Sequence, residues 1–263
     1  LLEANNAGGK LSMIYAETPA NPTNDLIDIE MCSEIAAQYS TPGKKVLVAI
    51  DNTYMGPLWQ HPLKHGADIV LYSATKYIGG HSDLIAGAAV GSKEIIKAIK
   101  KSRTVFGTII DPHTSWLLMR SLETLKIRME AAAANAEKVA AYLLQHPKIE
   151  KVYYLGYTKK NNPGQVAILK KQYLSNGAML SFDVKGGEKE AFAFLNNLKH
   201  IKLAVSLGGT ESLAEHPFSM THADEPDEEK NRLGLTQKMV RLSVGIENPD
   251  DLVRDIEQAL EAI

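Results

Sequence analysis

The chain has 263 residues, 44% hydrophobic and 23% charged, with 29 basic against 31 acidic side chains, a formal net charge of −2 and one cysteine. That near balance offers no electrostatic case for nucleic acid or an anionic membrane, a single cysteine excludes a disulfide framework, and no apolar run reaches membrane length. The length permits a substantial core, expected as two domains, and the composition fits a soluble cytoplasmic protein without internal repeats.

In chain order, Leu11-Ser12-Met13-Ile14-Tyr15 reads as a strand and residues 28–38 as a helix. Cys32 in that helix has no neighbouring His or second Cys and reads as a semi-buried thiol. Lys44-Lys45-Val46-Leu47-Val48-Ala49-Ile50 is a continuous apolar strand of the kind found in parallel sheets covered on both faces, and it ends in Asp51-Asn52-Thr53-Tyr54. His61 and His65 have a helical metal-ligand spacing, but Pro62 intervenes and no third ligand is near. They read as solvated surface, as do His216 and His222, so no metal is expected.

The apolar run Ile69-Val70-Leu71-Tyr72 leads into Ser73-Ala74-Thr75-Lys76-Tyr77-Ile78-Gly79-Gly80-His81-Ser82. Here a lysine is fixed at a strand end, with hydroxyls one and three residues before it and paired glycines after it that let backbone approach a ligand. Ligands of open α/β sheets bind outside the carboxyl ends of the strands, which brings Asp51 and Lys76 to one crevice. The pair suits a lysine holding pyridoxal phosphate as a Schiff base, with a carboxylate against the pyridine nitrogen. Taken singly, Lys76 fits an exposed loop lysine equally well, and Asp51 a strand-end turn residue or helix cap.

Residues 92–100 read as a short amphipathic helix capped by Ser92. Asp111 and Pro112 then open one long helix, expected to run to His146-Pro147, with Trp116, Met119, Leu122, Leu125 and Met129 as its apolar stripe. Beyond it, the alternation in Ala178-Met179-Leu180-Ser181-Phe182-Asp183-Val184 suggests a sheet with one solvated face. The acidic stretch over residues 224–229 reads as a solvated loop. Asn248 and Pro249 open a last helix with Leu252, Val253, Ile256 and Leu260 on one stripe, so the C-terminus reads as complete. At the other end, residues 1–4 read as the tail of a helix already under way.

Six ordered segments carry a resemblance: Glu17-Thr18-Pro19-Ala20-Asn21-Pro22, Asp51-Asn52-Thr53-Tyr54, Ser73-Ala74-Thr75-Lys76-Tyr77, Ser206-Leu207-Gly208-Gly209, Ser219-Met220-Thr221-His222 and Val240-Arg241-Leu242-Ser243-Val244-Gly245. Together they resemble the γ-family of fold-type-I pyridoxal phosphate enzymes of sulfur amino-acid metabolism, over nearly the whole chain. The resemblance implies an α/β fold with a mostly parallel large domain whose later part is residues 1–120, followed by a smaller α+β domain over residues 121–263. It further implies that Lys76 carries the cofactor and shuttles protons, that Asp51 pairs with the pyridinium nitrogen, that Ser73 and Thr75 bond the phosphate, and that Asn21 meets the phenolate region. Arg241 would clamp the substrate carboxylate with Ser206 assisting; a buried structural ion pair is the competing role for that arginine.

The implied reaction is α,γ-elimination from a sulfur amino acid. The segments at residues 17–22 and 216–222 look most like the family's methionine-cleaving members, which form methanethiol, 2-oxobutanoate and ammonia. Cystathionine γ-elimination and γ-replacement are the alternatives, supported by Ser206-Leu207-Gly208-Gly209 with Glu211-Ser212-Leu213. The family shares active sites between subunits, which implies a homodimer or homotetramer. Its members also place a Gly-rich phosphate turn, a ring-stacking tyrosine and residues lent to the neighbouring subunit before the point where this sequence starts. On that reading the 263 residues hold an incomplete site, and an inactive truncated chain is the non-enzymatic alternative.

Overall fold

Four strands build the first sheet of the computed structural model, which describes residues 11–158 and 162–263; the helix tail expected at residues 1–4 lies outside the described residues. The strands β1 (Met13–Glu17), β2 (Leu47–Asp51), β3 (Ile69–Ser73) and β4 (Gly87–Gly91) lie side by side in that order. The first three are parallel and β4 returns antiparallel to β3. Side chains alternate across a pleated strand. Ile14, Ala16, Val48 and Ile50 accordingly pack with Ile29 and Ala36 of helix α1 (Ile29–Tyr39). Asp28 caps α1 by accepting from the backbone N–H groups of Glu30 and Met31, and Cys32 within it is half-buried. Glu17, Asp51 and Ser73 are the last residues of three parallel strands, so the fold delivers an acid, an acid and a hydroxyl to one edge.

A short helix α2 (Gly56–Trp59) follows β2, and α3 (Lys93–Phe106), with Ser92 as its cap, runs longer than expected. The single long helix expected from residue 112 is two: α4 (Pro112–Leu122) and α5 (Leu125–Gln145). The break has a physical cause in Arg128, whose buried guanidinium donates to the carbonyls of Ser121 at 2.9 Å and Tyr77 at 2.9 Å, while its Nε reaches Thr124 Oγ1 at 3.1 Å. A helix end whose carbonyls meet such a donor has no need to continue. The same arginine explains Gly80: a Cβ there would fall 1.8 Å from its Nη1. That glycine allows close packing against the Arg128 side chain. The predicted stripe also divides, since Leu125 and Met129 are buried whereas Trp116, Met119 and Leu122 are 55%, 70% and 50% exposed.

The second sheet contains β5 (Ile149–Tyr153), β6 (Met179–Val184), β7 (Lys202–Leu203), β8 (Leu213–Glu215) and β9 (Met239–Ser243), ordered β5-β6-β9-β8-β7. All neighbours are antiparallel except β7 and β8. Helices α5, α7 (Glu188–Asn197) and α9 (Pro249–Glu261) cover it, with Leu252, Ile256 and Leu260 of α9 buried as the pattern predicts. The solvated face expected for β6 is absent, because every residue of the strand is buried. Ser181 donates to the carbonyl of Pro22 at 2.8 Å, and Asp183 accepts from Tyr153 at 2.8 Å and Thr236 at 2.7 Å, so polar partners cover the outer face. One apolar core joins Leu26, Trp59 and Tyr77 to Met129, Met179 and Phe182 and locks the two sheets together. Between α6 (Pro163–Gln172) and β9, part of the expected acidic loop forms α8 (Asp227–Arg232), where Lys230 is buried over the Phe218 ring at 4.5 Å.

Candidate active site

The strand ends of the first sheet and the inner strands of the second enclose a cavity of about 370 Å3. Glu17, Asp51 and Ser73 line it from β1, β2 and β3, Asn21 and Lys76 from the turns that follow β1 and β3, and Val205, Ser206, Leu207, Thr221 and Arg241 from the second half of the chain. Five of the sequence-predicted residues therefore join Lys76 in one space. Thr75 does not. It lines the neighbouring cleft with Ser82 and Leu84, and its hydroxyl accepts from the N–H of Ala86 at 3.0 Å while contacting that residue's carbonyl at 3.3 Å.

Lys76 is half-buried and donates from Nζ to Ser206 Oγ at 2.7 Å. Burial lowers the proton affinity of its amine, the positive charge of Arg241 lowers it further, and Glu215 opposes both. Ser206 holds φ at +92°, a strained value for a residue with a Cβ. Two residues on, Gly208 sits at φ +72°, where a Cβ would meet the backbone nitrogen of Tyr77 at 2.8 Å. The loop is thus pressed against the lysine turn. Asp51 accepts from the N–H of Thr53 at 2.9 Å, as a strand-end turn residue does, and from Tyr15 Oη at 3.3 Å. Glu17 lies beside it in strand register. Burial and then the Asp51 charge push the Glu17 carboxyl up to about 7 against the pull of Arg241.

Arg241 stands on β9, 4% exposed, and pairs at 2.6 Å with Oε1 of the fully buried Glu215 on β8. Its Nη2 donates to the carbonyl of Ser206 at 2.8 Å and its Nη1 to Asn21 Oδ1 at 3.2 Å. The same Asn21 oxygen accepts from Tyr54 Oη. Both surroundings expected for Arg241 are present at once: it has a buried ion partner and it faces the cavity. Sequence reasoning did not single out Glu17 or Glu215. The usable signals were an acidic residue closing a strand-like run at Glu17, and one at Glu215 following the apolar Leu213-Ala214.

The solvated-surface reading fails for His216, which is buried, with Nδ1 2.7 Å from Ser219 Oγ and Nε2 2.8 Å from the carbonyl of Gln237. His65 is half-buried against Glu30 at 3.0 Å. Among the described residues, no group of three or more His, Cys, Asp or Glu side chains is placed to hold a metal ion, and no helix is long and apolar enough to cross a membrane.

An amine of lowered proton affinity, a strand-end carboxylate, a hydroxyl and a guanidinium around one cavity form the donor set that an aldehyde cofactor with a ring nitrogen and a phosphate requires. Fold and site together define the fold-type-I pyridoxal phosphate class. Residues 4–261 match the family described as Cys/Met metabolism PLP-dependent enzyme, and the chain belongs to that family. It is 45% identical over 266 residues to the L-methionine gamma-lyase of Fusobacterium nucleatum subsp. nucleatum, covering 100% of this chain and 66% of that protein. It is also 45% identical over 251 residues to the cystathionine gamma-lyase of Bacillus subtilis, covering 95% of this chain and 64% of that protein. The chain therefore spans slightly less than two thirds of the length of these curated relatives. Cystathionine gamma-lyase from Lactobacillus plantarum, solved with L-serine, superposes with a TM-score of 0.90 at 39% identity, over all of this chain and 68% of that one.

Proposed function

We propose that this chain carries the central residues of a carbon–sulfur lyase that uses water to convert L-methionine into methanethiol, 2-oxobutanoate and ammonia. The observation that carries the reading is the placement of Lys76, Asp51 and Arg241 on one cavity. Lys76 would hold the cofactor covalently. As a free amine its side chain would remove and return protons at substrate carbon, a task suited to an amine of lowered proton affinity held at Ser206. Asp51 would meet the ring nitrogen and Ser73 the phosphate, while Thr75 holds the Ala86 loop. The Asn21 carbonyl is already engaged, which leaves its amide N–H groups for the cofactor. When bound, pyridoxal phosphate supplies the electron sink that stabilises negative charge on the substrate carbons. Arg241 orients the substrate through its carboxylate.

Val205 and Leu207 give the cavity an apolar wall beside Ser206, which fits a thioether. Cystathionine is the second reading, supported by equal identity to a cystathionine gamma-lyase. Methanethiol release from methionine, compared with cysteine release from cystathionine by the full-length holoprotein, separates the two; no methanethiol would reject the first. A homo-oligomer with shared sites completes the proposal, and sedimentation of the holoprotein checks it.

A further inference from the structure

The Arg241 guanidinium is held on several sides: Nη1 pairs with Glu215 and Asn21, Nη2 donates to the Ser206 carbonyl, and the Tyr54 side chain is also hydrogen-bonded to it, while Nε–H is buried without a partner. The side chain lines the cavity, and the planar edge of a guanidinium suits a carboxylate. The geometry therefore raises the question of what keeps the fork turned this way. Its shortest contact, 2.6 Å, is to Glu215 Oε1, and Thr221 Oγ1 donates to that same oxygen at 3.1 Å. The other oxygen, Oε2, is buried without a partner, so every hydrogen bond of this carboxylate acts through one atom.

We propose that Glu215 is a positioning residue for substrate recognition, which together with Thr221 holds the Nη1 edge of Arg241 and so fixes the guanidinium in the orientation in which it meets the substrate carboxylate. The assignment deepens, and rests on, the reading of Arg241 as the carboxylate clamp. Glu215 touches neither cofactor nor substrate in this role. Its loss weakens ligands that carry a carboxylate and spares ligands that lack one.

Glycine and methylamine differ by that one group, and binding of each to the full-length holoprotein is read from the cofactor's visible absorbance. For Glu215→Ala the dissociation constant for glycine is expected to rise about tenfold, with methylamine changed less than about twofold. Glu215→Gln, which keeps an oxygen acceptor toward Nη1, is expected to restore most of the glycine affinity. Equal weakening of both ligands would mean a general packing defect and would overturn the proposal, as would no change in either. Because Glu215→Ala removes half of a buried ion pair and can prevent folding, Thr221→Val provides a milder second variant on an exposed residue. It is expected to weaken glycine about threefold and leave methylamine unchanged, and an unaltered glycine affinity would refute the assignment. Arg241→Lys separates the two levels. Glycine binding weakened by Arg241→Lys but not by the Glu215 variants rejects only the positioning role, whereas glycine binding unaffected by Arg241→Lys rejects the clamp and the proposal with it.

Discussion

Two acidic residues, one on each sheet, feel the charge of Arg241, and they behave differently. Glu215, on β8, is fully buried and locked to the guanidinium at 2.6 Å, with Thr221 bonded to the same oxygen. Glu17, at the end of β1, has Asp51 as its register neighbour, and its carboxyl is pushed up to about 7. Burial raises both groups. The difference lies in the company each keeps: a cation in direct contact fixes the first in place, while a second acid beside the other turns it into a proton-holding group near neutrality. The second sheet thus supplies a rigid, paired charge, and the first supplies Glu17 as the group whose proton is held near neutrality.

The largest expected effect is on the side of the first sheet. Lys76→Ala is expected to reduce elimination by at least about 1000-fold and to remove the borohydride-stable cofactor adduct, measured as the mass of the reduced protein. A retained adduct would place the cofactor on another lysine. The rigid side predicts a stability effect instead. Glu215→Ala should lower the stability of the apoprotein by about 3–5 kcal/mol in urea unfolding, because it strands a buried guanidinium. The double variant Glu215→Leu with Arg241→Met should lose much less. Similar losses in the two proteins would show that the cost lies in packing rather than in the unpaired charge.

How much of this was legible in the sequence follows from the range of the interactions. Lys76, Asp51 and Ser73 were readable because each closes a strand-like apolar run, and strand ends of a parallel sheet converge. The ordered segments supplied Asn21, Ser206 and Arg241. Local signals also gave the Ser92, Asp111 and Asn248 caps correctly. The break between α4 and α5 was not legible, since it depends on Arg128 reaching the carbonyl of Tyr77, 51 residues away in sequence. The buried outer face of β6 depends likewise on Pro22, 159 residues from Ser181. Glu215 needed knowledge that β8 and β9 pair with that residue opposite Arg241. A propensity or a cap is written in a few consecutive residues, whereas pairing register is a property of the assembled sheet.

A smaller effect tests the Glu17–Asp51 side by pH. The Glu17 carboxyl holds its proton to about 7 in the folded protein, against an ordinary value of 4.5. Between those values the folded state binds more protons than the unfolded chain, so this group's contribution to stability is fully present below about 4.5 and is lost as the pH rises through about 7. Removing the titration by Glu17→Gln should flatten the fall in apoprotein stability over that window by about 1–2 kcal/mol once solvent screening is included. Urea midpoints of the two proteins at pH 5 and pH 8 measure it. Because Asp51 is the charge that adds to burial, Asp51→Asn should remove part of the same slope while leaving Glu17 in place. An Asp51→Asn protein with an undiminished slope would show that burial alone sets the Glu17 proton.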